Sequence, residues 1–222
     1  MRFKISFLTH LSGANSGLGK VTALELAKRG AHVHLLCRDP VSGKSTVDEL
    51  IATTQNQAIE LHLVDMSRPM QILNFYESFK SRKRLDILVN NAGVLLNERV
   101  QTADGLETTF ATNTLGTYYL TNLMIPLLGN SSDPRVINVS SGGMYNSKLD
   151  ATDLQSLKNY DGVAVYAQTK VIIFKYLILR GPKLSWHNFG RDSTQPFIFT
   201  QCIPAGPAHL DLSNHFHHFM NL

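Results

Sequence analysis

The sequence has few of the features that mark secreted, membrane-spanning or nucleic-acid-binding proteins. Its 222 residues include only two cysteines, Cys37 and Cys202. Without metal-ligand spacing or a disulfide framework, they indicate a reducing, cytoplasmic location. Apolar runs are too short to cross a bilayer, so we expect no membrane span. The formal net charge is only +4, and the one dense basic run, residues 80–84, is typical of a solvated helix end, so we expect no nucleic-acid partner.

Short apolar segments alternate with longer amphipathic segments along most of the chain. The strand-like segments are ISFLTHL, HVHLLC, IELHLVD, LDILVNN and RVINVS. This alternation predicts an α/β fold, a Rossmann-type doubly wound parallel sheet with helices on both faces. We predict one domain over residues 1–180 and an atypical, poorly ordered tail over 181–222, where the pattern fits neither a helix nor a long strand, so that the C-terminal part of the fold is incomplete.

A glycine-rich turn, SGANSGLG, joins the first predicted strand to the first predicted helix. Glycines at 13, 17 and 19 let the backbone approach a phosphate, whose charge the amides and dipole of the helix N-terminus stabilise. Alone, this pattern also fits an ordinary strand-to-helix turn. At the end of the second strand, Arg38 favours NADP because it would accept an adenosine 2′-phosphate, while Asp39 leaves NAD open.

Polar segments follow the fourth and fifth predicted strands. NNAG, residues 90–93, and NVSS, residues 138–141, both stand where the strands end. Ligands of open α/β sheets bind at this carboxyl edge. Each segment is also compatible with a simple turn.

The stretch YAQTK puts Tyr166 and Lys170 four residues apart, on one face of a helix that we predict begins here. A phenol is a poor proton donor or acceptor at neutral pH. A neighbouring ammonium stabilises the phenolate and makes proton exchange with a hydroxyl or carbonyl feasible. An ordinary surface pair is the alternative.

Taken together and in this order, GANSGLG, NNAG, NTLG, NVSSGG and YAQTK make the chain resemble the short-chain dehydrogenase/reductase family over Leu11 to Lys170. The resemblance implies an NAD(P)-binding domain and reversible hydride transfer between a nicotinamide and a small-molecule carbonyl or alcohol. It leaves the substrate and any homo-oligomer open.

The resemblance also implies roles for individual residues. Tyr166 would be the general acid/base and Lys170 would support it and hold the nicotinamide ribose. Ser141 would orient the substrate oxygen, and Asn113 would hold a water that relays protons. The implied cofactor-binding residues are Gly13, Asn15, Ser16, Gly17, Leu18, Gly19, Arg38, Asp65, Met66, Asn91, Ala92, Gly93, Tyr166 and Lys170.

The sequence departs from the family pattern in two places. Thr9 and His10 stand in a first strand that should be apolar and central. Beyond Lys170, the family's HPGW-like loop is missing, yet residues 196–207 can be encoded so that reading two bases later gives AIHFYPMHPGWA. We therefore expect that the chain leaves the family's reading frame after Lys170, and that the sheet keeps an unpaired edge.

Other functions stay open at this point. The atypical tail favours a nucleotide-binding or interaction protein without turnover. A nucleotide-sugar epimerase shares the Tyr/Lys spacing, but the glycine pattern and NNAG favour the dehydrogenase type. The tail histidines, His215, His217 and His218, lack a second ligand cluster, so we predict no metal site there.

Overall fold

The structure is a computed structural model that describes residues 7–179, 185–189 and 198–202. The predictions for His215, His217 and His218 lie outside these residues. The strands are β1 Leu8–Ser12, β2 His32–Cys37, β3 Ile59–Leu63, β4 Ile87–Asn90, β5 Arg135–Val139, β6 Ser185–Phe189 and β7 Ile198–Cys202. The α-helices are α1 Gly17–Lys28, α2 Pro40–Thr54, α3 Pro69–Phe79, α4 Thr108–Phe110, α5 Thr117–Leu128 and α6 Gly162–Leu179.

The strands form one sheet in the order β3-β2-β1-β4-β5-β7-β6. Strands β1 to β5 are mutually parallel, which confirms the predicted Rossmann-type arrangement. The sheet continues past β5, so the expected unpaired edge of the described sheet is β6. Strand β7 pairs antiparallel with β5 and β6 pairs antiparallel with β7, because the apolar segment IFTQC of the tail has the composition of a strand and can satisfy the open ladder of β5.

Two apolar cores cover the two faces of the sheet. One packs α3 and α5 against the sheet through residues such as Ile72, Phe75 and Met124. The other packs α1 and α2 against the opposite face through Ala23, Ala27 and Leu50. Because helices cover both faces, the strands are buried on both sides, and the carboxyl edge of the sheet is left to bind ligands.

Helix α6 begins earlier than the sequence predicted. It starts at Gly162, so that Tyr166 lies in its second turn rather than at its start. The carboxylate of Asp161 accepts hydrogen bonds from the backbone amides of Val163 and Ala164 at 2.9 and 3.0 Å, and so caps the helix. Extending the helix backwards leaves Tyr166 and Lys170 on one face.

The predicted basic run lies at the end of α3, as expected. A short 3₁₀ helix, Lys80–Arg82, follows α3 directly. Lys80 pairs with Glu77, and Arg84 pairs with Asp86 at 2.7 Å. None of the described helices is both long enough and apolar enough to span a membrane.

Candidate active site

A cleft of about 1040 Å³ opens at the carboxyl edge of the parallel strands. It brings together almost all of the site residues that the sequence predicted. Those that line it are Gly13, Asn15, Ser16, Gly17, Leu18, Gly19, Arg38, Asp65, Met66, Asn91, Ala92, Gly93, Ser141, Tyr166 and Lys170. Asn113 is not among the lining residues, although a Cβ placed on Gly93 would lie only 3.5 Å from its Oδ1.

The glycine-rich turn forms one end of the cleft. Gly13 has a φ of +64°, and a Cβ at Gly19 would lie 2.2 Å from the carbonyl oxygen of Gly13, so only glycine fits at position 19. Ser16 is the N-cap of α1 but makes no side-chain cap hydrogen bond within the described chain. The first amides of α1 therefore lie uncapped at the cleft, where they suit an anionic phosphate.

Hydrogen bonds tie this turn to the loop that follows β4. The Oγ of Ser12 accepts from the backbone amides of Asn91 and Ala92 at 3.1 and 3.0 Å. The side-chain amide of Asn91 donates to the carbonyl oxygens of Ser12 and Gly13, both at 3.0 Å. The two motifs, SGANSGLG and NNAG, are thus held as one unit, with the Asn91 side chain supporting the turn.

Arg38 and Asp39 line the cleft just after β2, and their side chains have different contacts. The carboxylate of Asp39 caps α2, accepting from the amide and hydroxyl of Ser42 at 2.7 and 2.6 Å. These hydrogen bonds lower the pKa of Asp39. Arg38 is exposed at the cleft and makes no hydrogen bond or ion pair with the described part of the chain. Its guanidinium is therefore the better placed of the two to meet a ligand.

Asp65 makes local contacts as well. Its carboxylate accepts from the amide and hydroxyl of Ser67 at 2.9 and 2.7 Å and shapes the turn that leads to α3. Asn15 is held similarly, because its amide donates to Ser42 Oγ at 3.0 Å. Both residues line the cleft while their side chains fix its wall.

Lys170 and Tyr166 form the opposite end of the cleft. Lys170 is 5% exposed, and its Nζ donates to the carbonyl oxygen of Val139 at 3.0 Å. Burial lowers the pKa of Lys170 to about 8. Its Nζ lies 5.5 Å from the centroid of the half-buried Tyr166 ring, close enough for the ammonium to stabilise a phenolate.

Ser141 lines the same cleft as this pair, and its hydroxyl oxygen already accepts one hydrogen bond. Its Oγ accepts from the amide of Gly143 at 3.3 Å and caps the short 3₁₀ helix Gly142–Asn146. The hydroxyl proton of Ser141 is not used in that bond. It is therefore available to a hydrogen-bond acceptor in the cleft.

Asn113 links two walls of the site. It lies in a π-helical segment, Ala111–Gly116, between α4 and α5. Its Oδ1 accepts from the amide of Val94 at 2.8 Å, and its Nδ2 donates to the carbonyl of Val94 at 2.9 Å and to Thr169 Oγ1 at 3.1 Å. Both amide protons are used, so a bound water would have to donate to an oxygen of Asn113.

Sequence reasoning missed two supporting groups. The carbonyl of Val139 orients the ammonium of Lys170, and Thr169 Oγ1 donates to the carbonyl of Tyr166 at 2.6 Å while accepting from Asn113. Val139 ends β5 within the NVSS segment, so its position was a usable signal. Thr169 stands three residues after Tyr166, a spacing at which a hydroxyl can reach back to the preceding turn.

Comparisons with known proteins agree with this geometry. The family model described as short chain dehydrogenase matches residues 9–151. The human protein called dehydrogenase/reductase SDR family member 12 is 53% identical over 161 residues, which are 72% of this chain and 51% of the relative. The chain therefore spans about half the length of this curated relative.

Solved structures give the same fold. A protein from Mycobacterium paratuberculosis is 32% identical, with a TM-score of 0.63, over 75% of this chain and 59% of that one. A short-chain dehydrogenase from Shigella flexneri, solved in complex with NADP, has a TM-score of 0.64 at 19% identity, over 81% of this chain and 72% of that one. At that identity, the second likeness concerns the fold alone.

Proposed function

Because the chain belongs to the short-chain dehydrogenase family, we propose that it is an NADP(H)-dependent oxidoreductase in which Tyr166 exchanges a proton with the oxygen of a small-molecule carbonyl or alcohol. The observation that carries the proposal is the cleft itself. It has a glycine turn and Arg38 at one end and Tyr166 beside a buried ammonium at the other.

The residues of the first end fit a dinucleotide. A Cβ at Gly19 would clash with the carbonyl oxygen of Gly13, so glycine there lets the turn close tightly, and a Cβ at Gly17 would meet no atom within 4 Å. Such a glycine-rich turn at a helix N-terminus suits the close approach of a pyrophosphate. The guanidinium of Arg38 would pair with an adenosine 2′-phosphate, which favours NADP(H) over NAD(H). When bound, the cofactor supplies or accepts the hydride.

The residues of the other end move the proton. In the direction of reduction, the Tyr166 hydroxyl donates its proton to the carbonyl oxygen, and in oxidation the phenolate takes it back. The ammonium of Lys170 stabilises that phenolate, while the carbonyl of Val139 holds one of its three N–H groups. Ser141 donates its free hydroxyl proton to the substrate oxygen and so fixes the distance to Tyr166.

The test is a comparison of two tyrosine variants of the full chain. Tyr166→Phe removes the proposed proton donor. The control is Tyr160→Phe. The hydroxyl of Tyr160 donates to the carbonyl of Leu96 at 3.2 Å, outside the lining of the cleft. Absorbance of NADPH is followed with a panel of aldehydes and ketones. We expect Tyr166→Phe to slow turnover by about 10²- to 10⁴-fold and Tyr160→Phe to leave it near the wild-type rate. Equal rates in both variants would contradict the role of Tyr166.

A second candidate is nucleotide binding without turnover. It is favoured by the lining of the cleft, which comes mostly from residues that would surround the nucleotide. Binding of NADPH by the wild-type chain, with no oxidation across the carbonyl panel, would support this candidate over the oxidoreductase.

A further inference from the structure

A second group of ligating side chains lies away from the cleft, where β2 and the edge strand β3 run side by side. His32 and His34 alternate along β2, and Glu60 and His62 alternate along β3, so each pair points to one face of the sheet. The strand register sets His34 opposite Glu60. Parallel pairing therefore brings three imidazoles and one carboxylate together.

The polar atoms of this group converge closely. His32 Nε2 lies 2.8 Å from Glu60 Oε1, and His34 Nδ1 lies 3.8 Å from Glu60 Oε2. One ligand atom from each of His32, His34 and Glu60 lies within 4.8 Å of the other two. Ligand bonds of about 2.0–2.2 Å in a tetrahedral zinc site put ligand atoms about 3.3 Å apart, so only small side-chain shifts separate this arrangement from a closed site.

We propose that His32, His34 and Glu60 bind a divalent transition metal of the zinc class, with His62 as the fourth ligand. His62 Nε2 lies 2.8 Å from His34 Nδ1, where the two nitrogens share one proton that a metal ion would displace. Three imidazole nitrogens and one carboxylate oxygen suit Zn²⁺, Co²⁺, Ni²⁺ or Cu²⁺ far better than Mg²⁺ or Ca²⁺, which prefer oxygen ligands.

The proposed ligands differ in their exposure to solvent. The side chain of His34 is fully buried, whereas His32 and Glu60 are 25% and 38% exposed at the edge of the sheet. The partly exposed pair therefore gives an ion a route from solvent to the buried imidazole of His34.

One cation competes for the carboxylate. Arg82 Nη2 lies 3.1 and 3.2 Å from the two oxygens of Glu60, and its side chain is 47% exposed, so it can move into solvent. A bound divalent ion would repel it. Removing the Arg82 charge is therefore expected to tighten metal binding, an effect that a purely structural role of Glu60 would not produce.

The experiment titrates the full, chelator-treated chain with Co²⁺ and follows the visible absorption of tetrahedral Co²⁺, with Zn²⁺ as competitor. Glu60→Gln and His32→Gln change partly exposed ligands and spare the buried His34. We expect a stoichiometric tetrahedral spectrum for the wild type, affinity lowered by more than about tenfold in both variants, and affinity raised in Arg82→Gln.

The matched control replaces the tail histidines, as His215→Gln, His217→Gln and His218→Gln together, and should keep the wild-type affinity. Loss of binding in this triple variant with retention in Glu60→Gln would overturn the proposal, as would a wild-type chain that binds no Co²⁺. NADPH binding by Glu60→Gln is measured alongside, since it should match the wild type. The metal site and the proposed oxidoreductase therefore fail or succeed independently.

Discussion

The cleft and the histidine face, which is the part of the sheet under α3 that carries His10, His32, His34 and His62, both bury ionisable side chains. Burial has opposite consequences for the charge of these side chains in the two places. In the cleft, Lys170 keeps a hydrogen bond to Val139, and its pKa of about 8 leaves it charged at pH 7. On the other face, burial lowers the pKa values of His10 and His34 far below their usual range, so both are neutral. Lys170 therefore keeps its charge beside the cleft, whereas His10 and His34 are uncharged on the face that α3 covers.

The surroundings explain this difference. The ring of His10 packs against Phe79 and Phe75, with centroid distances of 4.1 and 5.2 Å, and neither of its nitrogens has a hydrogen-bond partner in the described chain. An aromatic wall cannot solvate an imidazolium. Lys170 instead donates to the backbone carbonyl of Val139 and lines the open cleft.

Removing the charge from the cleft should have the largest effect. Lys170→Met takes away the group proposed to stabilise the phenolate of Tyr166, and we expect turnover of NADPH with a carbonyl substrate to fall by about 100-fold or more. Lys158→Met, which changes an exposed lysine outside the cleft lining, is the control. A Lys170→Met chain that turns over at the wild-type rate would show that the cleft needs no buried cation.

Replacing Arg38 should distinguish the two cofactors. Arg38→Ala removes the guanidinium proposed to bind the 2′-phosphate, so we expect NADPH affinity to fall by about 10- to 100-fold, the range of a hydrogen bond to a charged group. NADH affinity should change little. Fluorescence titration of both cofactors measures this, with Arg29→Ala, an exposed arginine at the C-cap of α1, as control. Equal loss of NADPH and NADH affinity would rule out recognition of the phosphate.

The histidine face should make the chain sensitive to acid. His10 and His34 have folded-state pKa values below the value of about 6.5 that they take when unfolded, so the unfolded chain binds more protons as the pH falls below 6.5. Each histidine should lower the free energy of unfolding by about 1.4 kcal/mol per pH unit in that window. Urea unfolding of the metal-free chain between pH 7 and 4 measures the slope.

His10→Leu provides the matched variant for this slope. The substitution removes one of the two buried imidazoles, so stability should depend less steeply on pH below 6.5 and should be higher at pH 5 than that of the wild type. An unchanged slope would show that His10 is protonated in the folded chain or is not buried there.

On the alkaline side the cleft should give a smaller effect of the same sign. The pKa of Lys170 is about 8 in the folded chain, against 10.5 as its ordinary value. Between these values the unfolded chain binds the extra proton, so stability should rise with pH by up to about 3 kcal/mol. The rise should be absent in Lys170→Met, compared by urea unfolding of the cofactor-free chains at pH 7.5 and 10. Identical curves would contradict a buried ammonium.

The cleft was predictable from the sequence because its parts are short motifs that stand at strand ends. Glycines at 13 and 19 and the Tyr166/Lys170 spacing carry their meaning locally. Other features depended on partners distant in the sequence. The capping role of Asp39 required knowing where α2 begins, and the antiparallel docking of β7 on β5 required knowing that the ladder of β5 was open.

The histidine face also depends on partners that are distant in the sequence, so it could not be predicted from local motifs. Each of its strands reads as an ordinary alternation of polar and apolar residues, typical of a half-exposed strand. Only the register that sets His34 opposite Glu60, and the cover that α3 provides over His34, bring these side chains together. Spacing within one segment cannot predict a site that arises from pairing between two.

The most direct test of the cleft is a fluorescence titration of the purified full chain with NADPH and NADH, repeated on Gly19→Ala, with folding checked by circular dichroism. A Cβ at position 19 would lie 2.2 Å from the carbonyl oxygen of Gly13 and 2.6 Å from the side-chain nitrogen Nδ2 of Asn91. We predict saturable binding that is tighter for NADPH than for NADH, and its loss in folded Gly19→Ala. A folded wild-type chain that binds neither nucleotide, or a Gly19→Ala chain that binds NADPH equally well, would contradict the account.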